Sequence, residues 1–108
     1  MNARLLAVLL LCGLSPLSIA AANDKQAQRL AASCASCHGT AGVAVNNSLP
    51  VLAGQSKENI ISSMQAFKSG ARPATVMQQL AKGYTEEQIV LIATYFAGLK
   101  TVEAGAVK

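Results

Sequence analysis

A five-residue segment, Cys34-Ala35-Ser36-Cys37-His38, holds the only histidine of the 108-residue sequence. Two cysteines three positions apart on a helical turn present both thiols on the same side of the helix. The imidazole of His38 follows directly, so one short segment supplies two soft nucleophiles and a strong metal ligand. We expect this segment to attach a prosthetic group around which the rest of the fold is built.

The first 22 residues are typical of a secretory signal peptide. A basic start is followed by an apolar run, residues 5–14, and by small residues before the expected cleavage near Ala20 or Ala22. The apolar run is well short of the roughly 20 residues that a transmembrane helix needs. We therefore expect the signal peptide to be removed and residues 23–108 to form one periplasmic domain with no membrane span.

Cysteine use in the mature chain favours covalent haem over three other interpretations. The C-x-x-C-H spacing is the attachment signature for haem c, in which the thiols bond to the vinyl groups and the histidine ligates the iron. A structural zinc site needs four ligands, but once Cys12 leaves with the signal peptide the soft ligands are Cys34, Cys37 and His38. A thioredoxin-like redox pair requires a preceding strand, which the pattern lacks. A plain structural disulfide is the third alternative.

The spacing of apolar residues predicts an all-α fold of three to four short helices with long loops. A first helix is predicted over residues 24–35, and the glycine, asparagine and proline content of residues 39–55 predicts a loop. A second helix is predicted from the cap residue Ser56 to Gly70, and a further helical turn over residues 74–81.

The last helix has the clearest signals. Thr85 is expected to cap it, and Gln88 three residues later can complete a capping box. Gly98 marks its end, and the tail, residues 101–108, is expected to fray.

Methionine is the usual second axial ligand of a haem iron that histidine holds in electron-transfer proteins. Met77 follows a helix-breaking glycine and proline, on a segment that can fold over the open face of the haem, so it is the expected ligand. Met64 lies in the apolar stripe of the second helix, where core packing is the ordinary role. An iron that is open, or ligated by Lys68 or Lys82, is the alternative.

A cofactor would also make up for a small core, because short domains often need a disulfide, metal or cofactor for stability. We expect the haem to be the main apolar surface against which side chains pack. The residues expected to pack there are Leu49, Leu52, Ile60, Met64, Val76, Leu80 and Ile92.

The charge balance argues against nucleic-acid binding, because 9 basic and 5 acidic residues leave a scattered net charge of +4. Some basic residues are candidates for steering a redox partner toward an exposed haem edge, although a merely solvated surface explains them equally well. These residues are Lys57, Lys68, Arg72 and Lys82.

The chain resembles a class I cytochrome c over nearly its whole mature length. The resemblance rests on an N-terminal helix, the CASCHG motif, the segment Pro50-Val51-Leu52-Ala53-Gly54, a distal methionine and a closing helix with Ala93-Thr94-Tyr95. It implies that the first and last helices cross. It also implies that the Pro50 carbonyl accepts the other N–H of His38 and so orients the ring.

A narrower resemblance covers residues 67–97, where the strings RPATVM and AKGYT are similar to the cytochrome subunits of flavocytochrome c sulfide dehydrogenases. Some members of that family carry two haem domains, whereas this chain has one motif. Arg72, at the start of the first string, is a candidate partner for a haem propionate.

The expected function is single-electron transfer, since an iron with both axial positions filled has no room for substrate. The resemblance implies that the chain accepts electrons from a FAD-containing sulfide dehydrogenase subunit and passes them to a downstream acceptor protein. One alternative is a free cytochrome c shuttle that serves a terminal oxidase or reductase. Another is a haem gas sensor or peroxidase in which Met77 is displaced.

Overall fold

The computed structural model of the chain describes residues 17–100. Most of the expected signal peptide and the tail expected to fray lie outside these residues. Within residues 17–100 the chain is helical and has no strand, so the predicted all-α fold class is confirmed. The elements are α1 (Leu17–His38), a short 3-10 turn (Val45–Asn47), α2 (Lys57–Ser69), α3 (Met77–Lys82) and α4 (Glu86–Ala97).

The boundaries of α2 and α4 follow the predicted capping signals. The Ser56 hydroxyl accepts a hydrogen bond from the Asn59 backbone N–H at 3.2 Å, and α2 ends at Gly70 as expected. At the start of α4, the Thr85 hydroxyl accepts from the Gln88 N–H at 3.2 Å, and the Gln88 side chain accepts from the Thr85 N–H at 2.9 Å. Both halves of the capping box are therefore present.

Helix α1 is longer at both ends than the predicted helix over residues 24–35. It begins upstream because Ala20, Ala21 and Ala22 are strong helix formers that do not interrupt it. It also continues past Ala35 through the whole C-x-x-C-H motif. Within residues 17–100, no helix combines the length and the apolarity needed to cross a membrane.

Two smaller differences concern the segments that follow α1. The predicted loop over residues 39–55 contains the 3-10 turn, in which Asn46 takes a left-handed backbone conformation with φ of 58°. The predicted helical turn over residues 74–81 is shifted, because the first helical hydrogen bonds of α3 go to the Val76 carbonyl, and α3 begins at Met77.

The core forms where α4 packs against both α1 and α2, and α3 packs against α2. Ile89 and Phe96 of α4 are its largest fully buried side chains. Among the residues expected to pack on haem, Ile60, Met64 and Ile92 are already buried among protein side chains. The complete buried cluster is Ala31, Ile60, Met64, Ala81, Ile89, Ile92, Ala93 and Phe96.

Candidate functional site

The last turn of α1 carries both thiols and the histidine. Cys34 is half-buried and packs against the core, whereas Cys37 is exposed, and no disulfide joins the two. Burial raises the pKa of the Cys34 thiol, and the hydrogen bond from Ser33 partly offsets this rise. The extension of α1 through His38 therefore keeps the two thiols on one helical face, as the attachment spacing requires.

A sharp turn directly after His38 separates this helix from the following loop. Gly39 has φ of 87°, and its N–H donates to the Ala35 carbonyl at 3.0 Å. A Cβ at this position would collide with the Val43 carbonyl, so only glycine fits the turn. The chain thus leaves the helix at once and the imidazole stands at its end.

One hydrogen bond orients the His38 ring. Its Nδ1 lies 2.8 Å from the Pro50 carbonyl oxygen, which is the contact implied by the family resemblance. A carbonyl only accepts, so Nδ1 carries a proton, and in the neutral ring the lone pair is then on Nε2. The lone pair on Nε2 makes the ring ready to bind a metal, and a carbonyl partner on the opposite nitrogen is the usual support for such a ligand.

The Pro50 segment is itself held by backbone hydrogen bonds. The N–H groups of Leu52 and Ala53 donate to the Gly42 carbonyl at 2.8 and 3.2 Å, and the Gly54 N–H donates to the Phe96 carbonyl at 3.0 Å. Gly42 has φ of 76°, and a Cβ there would lie 2.9 Å from the Phe96 ring. The loop can therefore lie close to the end of α4, and the core fixes the carbonyl that orients His38.

The two methionines of the described chain lie in different surroundings. Met64 is 7% exposed and belongs to the buried core of α2, α3 and α4. Met77 is the first residue of α3 and is only partly buried against that core. Burial among apolar side chains accounts for Met64, which leaves Met77 as the methionine that an external group can reach.

Two of the four cationic candidates, Lys68 and Arg72, already contact other residues of the protein. The Lys68 ammonium donates to the Tyr84 carbonyl at 2.6 Å and to the Glu86 carboxylate at 3.0 Å, so it already has two partners. The Arg72 guanidinium lies 4.6 Å from the centre of the Phe67 ring, in a cation–π contact. Arg72 is exposed, whereas Lys68 would have to break two contacts to reach an iron.

The structure brings together one group of predicted residues and keeps another apart. Cys34, Cys37, His38 and Pro50 form a single site at the end of α1 and the loop that faces it. Met77 lies on α3, which packs against α2. Helix α3 does not pack directly against α1 among residues 17–100, so no helix contact joins Met77 to the first group.

Exposed apolar side chains adjoin the candidate ligands along the chain. Val76 and Leu80, on either side of Met77 along the chain, are 61% and 48% exposed, and Leu49, next to Pro50, is 38% exposed. Covering apolar surface is worth roughly 25 cal/mol per Å². The donor set of two thiols and one bare imidazole nitrogen, with these side chains beside it, fits a covalently attached haem.

One contact of the site was not foreseen from the sequence. The Ser33 hydroxyl, directly before Cys34, lies 2.6 Å from the Tyr84 hydroxyl. The two residues are 51 positions apart, and no periodicity links them. The only available signal was the position of Tyr84 within the AKGYT string.

Comparisons with known proteins agree with this geometry. A family model described as "Cytochrome c" matches residues 25–100. The chain is 44% identical over 77 residues to the cytochrome subunit of sulfide dehydrogenase from Chlorobaculum tepidum, which covers 71% of this chain and 69% of that protein. It is 35% identical over 100 residues to cytochrome c4 from Pseudomonas aeruginosa, covering 93% of this chain and 50% of that protein.

A third relative is named for its role as an acceptor. The chain is 35% identical over 75 residues to a thiosulfate dehydrogenase electron acceptor from Stutzerimonas stutzeri, covering 67% of this chain and 35% of that protein. The chain thus spans half or less of two of these three relatives. The match over residues 25–100 and these identities show that the chain belongs to the cytochrome c family, with covalently bound haem c as its cofactor.

Proposed function

We propose that this chain is the electron-accepting haem subunit of a flavocytochrome c sulfide dehydrogenase. The observation that carries the proposal is the 44% identity, over 71% of the chain, to a protein named as the cytochrome subunit of sulfide dehydrogenase. As a cytochrome c with a single C-x-x-C-H motif, the chain is a one-electron carrier. Its donor in this proposal is a FAD-containing subunit that oxidises sulfide, and a downstream protein accepts the electrons.

The proposed axial ligands are His38 Nε2 and the Met77 thioether. Bound haem supplies a one-electron couple between ferrous and ferric iron. The hydrogen bond from His38 Nδ1 to the Pro50 carbonyl holds the ring in one orientation and makes Nε2 a stronger donor. The soft Met77 thioether favours the ferrous state and so raises the reduction potential. Two protein ligands leave no position for substrate, so the chain carries electrons and leaves bond chemistry to its partner.

Replacing each methionine tests this ligation. We expect Met77→Ala to abolish the weak far-red charge-transfer band of thioether-ligated ferric haem and to let the ferrous protein bind CO promptly. Met64→Ala is the matched control, because it removes a buried side chain at a cost of about 2–5 kcal/mol but should leave the band intact. Loss of the band in the Met64 variant alone would reassign the ligand.

Export is part of the proposal. The supporting sequence is the basic start, the apolar run and the small residues that precede Ala20 and Ala22. We propose that residues 1–22 are removed and that the haem domain, residues 23–108, works in the periplasm. Sequencing the N-terminus of protein from the periplasmic fraction tests this, and a chain that keeps Met1 would contradict it.

Co-purification tests the proposed partner. The tagged chain, isolated gently from the periplasmic fraction of its own host, should elute with a flavin absorption band in constant ratio to the haem. Adding sulfide to that flavin-containing preparation should reduce its haem. A cytochrome that always elutes alone, without flavin, would overturn the subunit assignment.

Elution of the cytochrome alone, without flavin, would favour a free electron shuttle. The supporting observation is the 35% identity to a protein named as the electron acceptor of thiosulfate dehydrogenase. A shuttle would accept electrons from one soluble enzyme and deliver them to a terminal oxidase or reductase. The two candidates differ in the partner and not in the haem site.

A further inference from the structure

Tyr84 makes hydrogen bonds to three helices and lies next to the start of the fourth. Its hydroxyl is 2.6 Å from the Ser33 hydroxyl of α1, and its carbonyl accepts from the Lys68 ammonium of α2 at 2.6 Å. Its N–H donates to the Ala81 carbonyl of α3 at 3.3 Å. The next residue, Thr85, caps α4, and the half-buried Tyr84 ring packs against the core. One residue therefore contacts or adjoins every helix of the described chain.

The helices that carry the two proposed axial ligands are not packed against each other. Helix α1, with His38, packs on α4, and α3, with Met77, packs on α2. Among residues 17–100, two hydrogen bonds join α1 side chains to segments beyond α1 and the turn after it, one from His38 to Pro50 and one between Ser33 and Tyr84. Only the second reaches the end of α3.

We infer that Tyr84 is a positioning residue that holds α3 at the distance from α1 that Met77 needs to ligate the iron. Helix α3 has six residues, too few to hold its place by its own helical hydrogen bonds. The Tyr84 hydroxyl ties its C-terminal end to Ser33, which directly precedes Cys34. This inference rests on the proposed His38 and Met77 ligation.

The affinity of an external ligand that competes with Met77 for the iron reports how well Met77 is positioned. Oxidised holoprotein is titrated with imidazole while loss of the far-red band is followed, because imidazole can bind only where the thioether has left the iron. Tyr84→Phe keeps the ring and removes the hydroxyl. We expect imidazole to bind about threefold more tightly to this variant, as for the loss of one hydrogen bond near the surface.

Two further variants separate positioning from general destabilisation. Tyr95→Phe is the control, because the half-buried Tyr95 ring packs edge-on against Phe96 and its hydroxyl has no hydrogen bond within residues 17–100. It should leave imidazole affinity unchanged. Ser33→Ala should match Tyr84→Phe, and the double variant should show no further increase, since both changes break the same bond.

The outcomes distinguish the positioning role of Tyr84 from the proposed Met77 ligation on which it rests. Wild-type protein that shows no far-red band would overturn Met77 ligation and the positioning role together. A wild-type band with unchanged imidazole affinity in Tyr84→Phe would overturn the positioning role alone. A lower unfolding free energy in Tyr84→Phe without tighter imidazole binding would also overturn it, because Tyr84 would then act only on the stability of the fold.

Discussion

Large apolar side chains are buried in the helical core but exposed in the segments that carry the candidate ligands. In the core, Ile89 and Phe96 of α4 are fully buried among residues of α1 and α2. Beside the candidate ligands, Leu49, Val76 and Leu80 are exposed. The core helices are thus stabilised by one another, whereas the loop after α1 and helix α3 present apolar surface that needs a partner. We expect the haem to cover this surface, so that the proposed site also completes the core.

The largest test of this comparison is removal of the haem. Replacing Cys34 and Cys37 together by Ala prevents covalent attachment, and we expect the mature haem-free chain to be largely unfolded. A domain of this size has little core to spare, and the apolar surface beside the ligands would lose its cover. Circular dichroism during heating measures the result. A cooperative transition in the haem-free chain would show that the protein core suffices by itself.

A second test compares one side chain from each region. We expect Phe96→Ala to lower the unfolding free energy of the holoprotein by about 3–5 kcal/mol, because it leaves a cavity in a fully packed site. Leu80→Ala removes the expected haem contact and the protein contact of a half-exposed side chain, and it should cost less because it leaves no cavity enclosed by protein on all sides. Denaturant unfolding, monitored by circular dichroism, measures the unfolding free energy of both variants. Equal losses would mean that the two regions are not different in packing.

The smallest expected effect concerns an ion pair at the edge of the core. Hydrogen bonds from Gln65 at 2.9 Å and from Lys68 at 3.0 Å lower the pKa of the Glu86 carboxyl. Its contribution to stability is therefore present above the ordinary carboxyl pKa and is lost as the pH falls through the lowered pKa. Glu86 is exposed, so the effect is small.

Unfolding measured between neutral and acid pH tests this contribution. Glu86→Gln should be slightly less stable than wild type at neutral pH, and the difference should vanish in acid. Glu58→Gln is the control, because Glu58 has no hydrogen bond or ion pair from its side chain among residues 17–100. A difference that persists unchanged in acid would show that the carboxylate charge is not what stabilises the pair.

Signals local to the chain predicted much of the fold. Ser56, Gly70 and Thr85 lie where caps and helix ends were expected, because a cap acts through backbone groups within one turn. The sequence pattern predicts that α1 ends at residue 35, earlier than its actual end at His38, because nothing in residues 36–38 strongly favours or breaks a helix. Gly39, whose left-handed backbone conformation lets the chain turn, is the residue that ends it.

The site was predictable to the extent that its residues are neighbours in sequence. The motif from Cys34 to His38 is contiguous, and the helical stripe that contains Met64 correctly indicated core packing. The approach of Pro50 to His38 came only from the family resemblance. The Ser33 and Tyr84 contact joins residues 51 positions apart, and such a pairing depends on how all four helices pack. No local pattern encodes it.

The packing of α1 against α4 has a consequence for the order in which the chain folds. These are the first and last helices of the described chain, so their contact closes a loop of about fifty residues, and its entropic cost grows with loop length. Such distant contacts slow folding. Four of the eight residues in the buried cluster belong to α4. We therefore expect the final helix to dock late, with the Cys34 thiol, which is half-buried in the folded chain, more accessible for attachment until it does.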